Sequence, residues 1–428
     1  MFATTGNTET TKTTSWKVVL PFYGYAAIAF LFATVLLFLS ADDITNHYFL
    51  PHTLAITHIM ALGWGTMVIL GASHQLVPVL IEGKLYSNKL AHLSFVLAAA
   101  GIPLLSYGFY VFDMGWPAKW GGRFVLLSVI CYVINLAISM QKSKTGNIQA
   151  VFILTASLWL FLTSFLGLVL VYNFTYAVLP EASLKYLPLH AHTGVTGWFL
   201  LLVIGVGSRL IPMFMISKYN NTKRLWLIYV LINSGLLFFL FSFLYFPEIS
   251  VFIPVAAIFL ALVLFVDYCF QAYLQRIRKK VDEQMKISLL SVVMMLLPVI
   301  FLIGITGWLV ADQQGNNMVL TYGFVIFFGW ITAIIFGMTF KTLPFIVWNK
   351  VYHLKAGLGK TPNPKDLFSN KIFVIMALTY LTGFLLFITG AYFTNKFLLS
   401  VASSFLILAA VFYNYNVMKV LLHKPAKS

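Results

Sequence analysis

Apolar stretches of transmembrane length follow one another along almost the whole chain. A bilayer has a hydrocarbon core about 30 Å thick, which an α-helix crosses in about 20 residues. Backbone polar groups in lipid must bond within their own segment, so a helix is expected for each stretch. The pattern therefore predicts twelve transmembrane helices, at residues 18–40, 52–80, 90–112, 122–140, 149–172, 189–215, 223–246, 250–274, 286–310, 318–345, 371–393 and 397–421.

Three of these stretches share one motif. The segments GWGTMVILGASHQLVP, GWFLLLVIGVGSRLIP and GWITAIIFGMTFKTLP begin at Gly63, Gly197 and Gly329, 134 and 132 residues apart. Each has Gly-Trp, a second Gly eight positions after the first, a polar residue and then Pro. A repeat at this period predicts an all-α membrane domain of three groups of four helices with threefold pseudosymmetry. The groups are residues 18–140, 149–274 and 286–421, and the motif lies on the second helix of each.

The second glycines of the motifs, Gly71, Gly205 and Gly337, are expected to let helices approach closely. The composition supports a chain surrounded by lipid: 60% of the residues are hydrophobic and 9% are charged, with a mean hydropathy of +0.90. Soluble domains are about a quarter charged, so a soluble or disordered chain is excluded. The two cysteines, Cys131 and Cys269, lie in separate apolar stretches, and no CxxCH segment for covalent haem attachment exists.

The net charge of +16 is distributed unevenly among the loops. Of the 28 Lys and Arg residues, 22 lie in the two tails and in alternate loops, and four lie in the opposite loops. The positive-inside rule then predicts a multi-pass protein of a bacterial-type inner membrane with both termini cytoplasmic. Residues 1–17 and 422–428 are expected to be cytoplasmic tails around a single membrane domain at 18–421. The bilayer explains the charge, and no nucleic-acid partner is expected.

Histidines supply the candidate chemistry. His58 and His192 each stand five residues before the first Gly of their motif, so both are expected at one depth in the outer third of the membrane. An ionisable residue there marks function by default, and neutral imidazole is a common ligand of metals and of haem iron. The pattern predicts a cofactor site with His58 as axial ligand and His192 as its counterpart. His190 and His52 are supporting or alternative ligands.

The expected cofactor is a b-type haem, with copper as the alternative, for which His52, His190 and His192 are the candidate metal ligands. On an ideal helix His52 and His58 differ by about 240° around the axis, and His190 and His192 by about 200°. Neither pair is therefore expected to bind one ion unaided. The alternative interpretation is a histidine at the headgroup boundary whose ring bonds to a backbone carbonyl.

The helix count, the threefold repeat and the histidines on the second and sixth helices resemble subunit I of the haem–copper oxidase superfamily. The resemblance is to its nitric oxide reductase and cbb-type branches. The segments HTLAITHIMALGW and LHAHTGVTGW also resemble the NnrS family, haem- and copper-containing membrane proteins linked to nitric oxide metabolism. These resemblances imply an oxidoreductase that handles electrons, oxygen or nitric oxide, with a redox partner or further subunits. They make His58 a low-spin haem ligand and His192, or else His190, a copper ligand.

The chain departs from the oxidase pattern on its tenth and seventh helices. The superfamily has a His pair on the tenth helix, where this chain has Tyr322–Gly323–Phe324, and the seventh stretch lacks the paired copper-binding histidines. The full set of two haems and a copper is therefore missing, and one cofactor site remains. Three interpretations stay open: a haem protein that handles electrons or a diatomic gas, a non-catalytic NnrS-like factor, and a cofactor-free transporter or assembly factor.

Overall fold

The computed structural model describes residues 14–142, 146–246, 251–310, 316–353 and 361–425. Within these ranges the fold is all α, with no β-strand and twelve helices long and apolar enough to cross a membrane. These are α1 (Trp16–Leu39), α2 (Pro51–Leu80), α3 (Asn88–Tyr110), α4 (Trp116–Gln141), α5 (Ile148–Asn173), α6 (Ser183–Met215), α7 (Thr222–Tyr245), α8 (Phe252–Leu274), α9 (Glu283–Gly307), α10 (Asn317–Tyr352), α11 (Asn370–Tyr392) and α12 (Lys396–Leu421). The predicted fold class and all twelve helices are confirmed.

Polar N-caps explain where many of these helices begin. The side chain of the residue before the helix accepts a hydrogen bond from a backbone N–H of the first turn, which has no partner inside the helix. This occurs at Ser15, Ser87, Asn147, Asn221, Asp282, Ser369 and Asn395. Because each cap stands directly before an apolar run, the sequence places these helix starts to within a few residues.

The motif helices α2, α6 and α10 form the centre of the bundle. They are the longest helices, at 30, 33 and 36 residues, and most of their residues are buried. The indole of Trp64 on α2 donates a hydrogen bond to the Thr332 hydroxyl on α10, at 3.0 Å. The indole of Trp198 on α6 donates in the same way to Thr66 on α2, also at 3.0 Å. In both bonds the acceptor is the Thr that stands two residues after the motif Trp of its own helix. The threefold pseudosymmetry of the whole bundle stays a prediction.

Each motif helix contains a π-helical segment, which the sequence analysis did not predict. The segments are Ile59–Thr66, Thr193–Leu200 and Val325–Ile331. They begin directly after His58, His192 and Phe324, respectively. A π-helical turn accommodates an extra residue and is common at functional sites, because it rotates the side chains on one side of it relative to the other. In α10 the Thr332 hydroxyl donates to the Phe327 carbonyl five residues earlier, at 2.7 Å, which fits the wider turn.

The motif glycines lie where two helices touch. A Cβ atom added to Gly71 would come within 3.0 Å of Phe22 on α1, and one added to Gly205 would come equally close to Phe152 on α5. A Cβ atom on Gly337 would collide with Ser288 and with the backbone of Gln284 on α9. The expected close approach is confirmed, and each motif helix packs against the first helix of its own group.

The substitution Gly337→Ala should therefore destabilise the protein. Overpacking of a tight contact costs about 1–3 kcal/mol, and here the backbone of α9 would have to move. Gly323→Ala on the same helix is the matched control, because nothing lies within 4 Å of its added Cβ atom. Thermal unfolding in detergent, followed by loss of the monodisperse chromatographic peak, compares the two variants. Equal melting temperatures would contradict this account of the motif glycine.

Candidate cofactor site

A cavity of about 970 Å³ lies among helices α2–α10. Its volume is at the upper end of the roughly 300–1,000 Å³ usual for ligand and cofactor sites. Among the described residues that line it there is no Asp, Glu, Lys or Arg, and the polar ones are histidines, tyrosines, threonines and serines. The cavity is therefore a neutral and mainly apolar space near one end of the bundle.

His58 points into this cavity with a fixed ring orientation. Its Nδ1 atom lies 2.8 Å from the Leu54 carbonyl oxygen one turn earlier on α2. A carbonyl can only accept, so Nδ1 carries the proton and the Nε2 atom of the neutral ring keeps its lone pair. The ring centre lies 6.2 Å from that of His190, and the two ring planes are 16° from parallel.

The ring of His190 is positioned by contacts with residues of α5. Its Nδ1 atom donates to the Thr163 carbonyl at 3.0 Å, which leaves Nε2 as the unprotonated nitrogen here as well. Gly167, one turn further along α5, lies under the ring: an added Cβ atom would be 2.7 Å from Cε1 of His190. The imidazole therefore occupies space that a side chain at position 167 would fill.

The separation of the two ring centres is close to that expected for two imidazoles on one metal ion. A metal–imidazole bond is about 2.0–2.1 Å long, so an ion bound in line by two Nε2 atoms would separate the ring centres by about 6.4 Å. The observed separation is 6.2 Å. Metal-binding histidines usually donate the other ring N–H to a carbonyl or carboxylate, as both rings do here. The carbonyl bonds named as the alternative interpretation are therefore present, and they leave Nε2 available for an iron or copper ion.

His192 faces the opposite way from His190, as the rotation of about 200° between them requires. Its Nδ1 atom donates to the Pro188 carbonyl at 2.8 Å, and its Nε2 atom lies 3.3 Å from the Tyr322 hydroxyl on α10. The ring packs against Phe239 of α7, with ring centres 5.1 Å apart. The structure thus brings His190, and not His192, next to His58. A group shared by His58 and His192 stays a prediction.

The remaining candidate, His52, lies away from the pair. Its ring stacks on Tyr110 of α3, with centres 4.7 Å apart, and it does not line the cavity. Across the described part of the chain, no three His, Cys, Asp or Glu side chains are grouped closely enough to hold a metal ion. Ligation by the protein would therefore depend on two imidazoles.

The same offset of two residues relates two of the contacts between the motif helices. His58 contacts His190, which stands two positions before His192. In the same way, His192 contacts Tyr322, which stands two positions before Phe324. The third corresponding residue, Phe324, stacks on Phe387 of α11 with ring centres 3.8 Å apart. The cavity therefore has a two-imidazole end and an imidazole–phenol end, and phenyl rings fill the third corresponding position.

Fold and site together define a polytopic membrane protein with paired imidazoles in a neutral internal cavity. The chain matches no model of a known protein family, and no curated protein matches its sequence. The likeness to haem–copper oxidases and to NnrS proteins consequently depends on the helix pattern and the histidine segments alone.

Proposed function

We propose that this chain is a haem-binding integral membrane protein, related in architecture to subunit I of the haem–copper oxidases, that handles electrons or a diatomic gas. The observation that carries the proposal is the pair His58 and His190, whose Nε2 atoms are both unprotonated and whose ring centres lie 6.2 Å apart. Apolar walls from Leu105, Phe109 and Leu160 suit a porphyrin.

The chain's own residues would hold and orient the group. The carbonyls of Leu54 and Thr163 fix both imidazoles and raise the basicity of their free nitrogens. A bound haem supplies an iron that changes valence and binds nitric oxide or oxygen where an axial position is open. With both imidazoles as ligands the site favours electron transfer, and withdrawal of one ring would admit a gas.

A second candidate is a non-catalytic, NnrS-like protein that binds haem or copper in nitric oxide stress. Phe324 and its stacked partner Phe387 favour it, because they occupy the position where a further histidine ligand would be needed for a second metal centre. A pair of imidazoles also suits copper, for which imidazole is a common ligand. The third candidate, a transporter or assembly factor without a cofactor, uses neither imidazole as a ligand.

The distribution of charge supports a location in a bacterial-type inner membrane with both termini cytoplasmic. The histidine pair then lies in the outer half of the bundle, since His58 is seven residues from the start of α2 at Pro51. A redox partner or additional subunit would approach from that side.

Cofactor content tests the proposal directly. Protein purified in detergent should carry about one b-type haem per chain and show a reduced-minus-oxidised haem spectrum. Haem by pyridine haemochrome and copper by mass spectrometry are measured on one sample, and added nitric oxide should change the reduced spectrum if the site handles the gas. Copper without haem would favour the second candidate. A preparation expressed with ample haem and copper that contains neither would contradict both.

A further inference from the structure

The end of the cavity around His192 and Tyr322 is a second polar site that the histidine pair does not use. Its two polar groups come from α6 and α10, and the ring of His192 faces away from His190. The surrounding walls are apolar and come from α7, α8 and α9. They include Phe239, Phe243, Val255, Ile258, Val299 and Leu302. We call this region the His192–Tyr322 lobe.

We propose that the His192–Tyr322 lobe binds a neutral, lipid-soluble aromatic alcohol of the phenol or quinol class. The lobe shares neither His58 nor His190 with the histidine pair, although both ends belong to one cavity, and the proposal goes beyond the proposed function because it gives His192 a role other than metal ligation. Binding alone is proposed, without a reaction.

The direction of the hydrogen bonds selects a hydroxyl group. His192 donates through Nδ1 to the Pro188 carbonyl, so its Nε2 atom accepts, and the Tyr322 hydroxyl 3.3 Å away is the donor. In the described part of the chain no donor reaches the Tyr322 oxygen, which therefore keeps an acceptor position facing the lobe. A ligand hydroxyl can donate to this oxygen and so add a second hydrogen bond to the one between Tyr322 and His192. Successive hydrogen bonds of this kind strengthen one another. A ligand with only a carbonyl would have to take the Tyr322 proton from His192.

The walls select a neutral ring. No Asp, Glu, Lys or Arg among the described residues lines the cavity, and burying a charged ligand without a counter-charge is costly. Phe239 and Phe243 offer ring surfaces, and aromatic pairs gain about 0.5–1.5 kcal/mol beyond their buried area. Val251, directly before α8, also lines the cavity and is 38% exposed.

The test compares naphthol with its methyl ether, which keeps the ring and the oxygen but cannot donate. Titration calorimetry in detergent at neutral pH should show naphthol binding the wild-type protein about three- to tenfold more tightly, the net value of one hydrogen bond. In the double variant His192→Phe, Tyr322→Phe this ratio should fall to about one, because both the phenol oxygen and the Nε2 atom that would accept in its place are gone. Tyr392→Phe, at a tyrosine that is 68% exposed, should keep the wild-type ratio.

Equal binding of the two probes to the wild-type protein would overturn the proposal and leave an unselective apolar pocket. A preference for naphthol that survives in the double variant His192→Phe, Tyr322→Phe would overturn it too, because the hydroxyl would then be recognised elsewhere. The wild-type comparison stands even if a variant fails to fold. The variant His58→Ala should bind naphthol normally, so that loss of the cofactor and loss of this site are separate results.

Discussion

Replacing His58 or His190 by alanine is expected to remove the b-type haem spectrum from the purified protein. Each substitution deletes one of two facing imidazoles whose ring centres lie 6.2 Å apart, and the remaining ring cannot hold the iron from both sides. The effect should be close to complete, since no third His, Cys, Asp or Glu among the described residues is grouped with the pair to take its place. Haem per chain and the reduced-minus-oxidised spectrum are the measurements.

His52→Ala is the matched control, because His52 lies on the same helix as His58 but stacks on Tyr110 outside the cavity. It should keep the full spectrum. His192→Ala decides between the two ligand sets: it leaves the spectrum intact if His190 is the partner of His58, and abolishes it if His192 is. An unchanged spectrum in both His58→Ala and His190→Ala would refute the ligand assignment.

Hydrophobicity and capping make most of the fold predictable from the sequence. The stretch predicted at 371–393 is observed as Asn370–Tyr392, where Ser369 is the cap. The larger errors share a physical cause. The helix predicted from 122 begins at Trp116, and the one predicted from 189 begins at Ser183, because each helix continues through a less hydrophobic turn that contains a lysine, Lys119 or Lys185. Hydropathy marks where a helix meets lipid, and hydrogen bonding decides where it ends.

The sequence was a poorer guide to which side chains contact one another inside the site. The sequence analysis related His58 to His192 by their equal position in the repeat, but equal positions lie on different helices around the centre. The contacts of His58 and His192 are instead made with the position two residues earlier on the next motif helix, as with His192 and Tyr322. This offset depends on helix rotation and on the π-helical turns after these residues, which a periodic pattern does not reveal. Tyr322 was noted only as a departure from the oxidase pattern, whereas the structure gives it a direct contact with a candidate ligand.

Gly167→Ala should weaken cofactor binding without altering any ligand. The added Cβ atom would lie 2.7 Å from Cε1 of His190, so the ring must turn away from its bond to the Thr163 carbonyl and from His58. Losing a group that orients a metal ligand typically lowers affinity by about 10–100-fold. Folding should be preserved, since alanine favours a helix by about 1 kcal/mol over glycine. Haem titration of the cofactor-free protein gives the affinity.

The control for Gly167→Ala is Gly323→Ala, because Gly323 lines the same cavity and has nothing within 4 Å of its added Cβ atom. Its haem affinity should equal that of the wild-type protein. If Gly167→Ala also binds haem with wild-type affinity, His190 is not a ligand in the orientation that α5 imposes, and His192 becomes the candidate to test against His58. If both glycine variants lose affinity together, the cavity as a whole limits binding, and the specific role of position 167 is excluded. The pair of variants thus separates the placing of one imidazole from the volume available to the porphyrin.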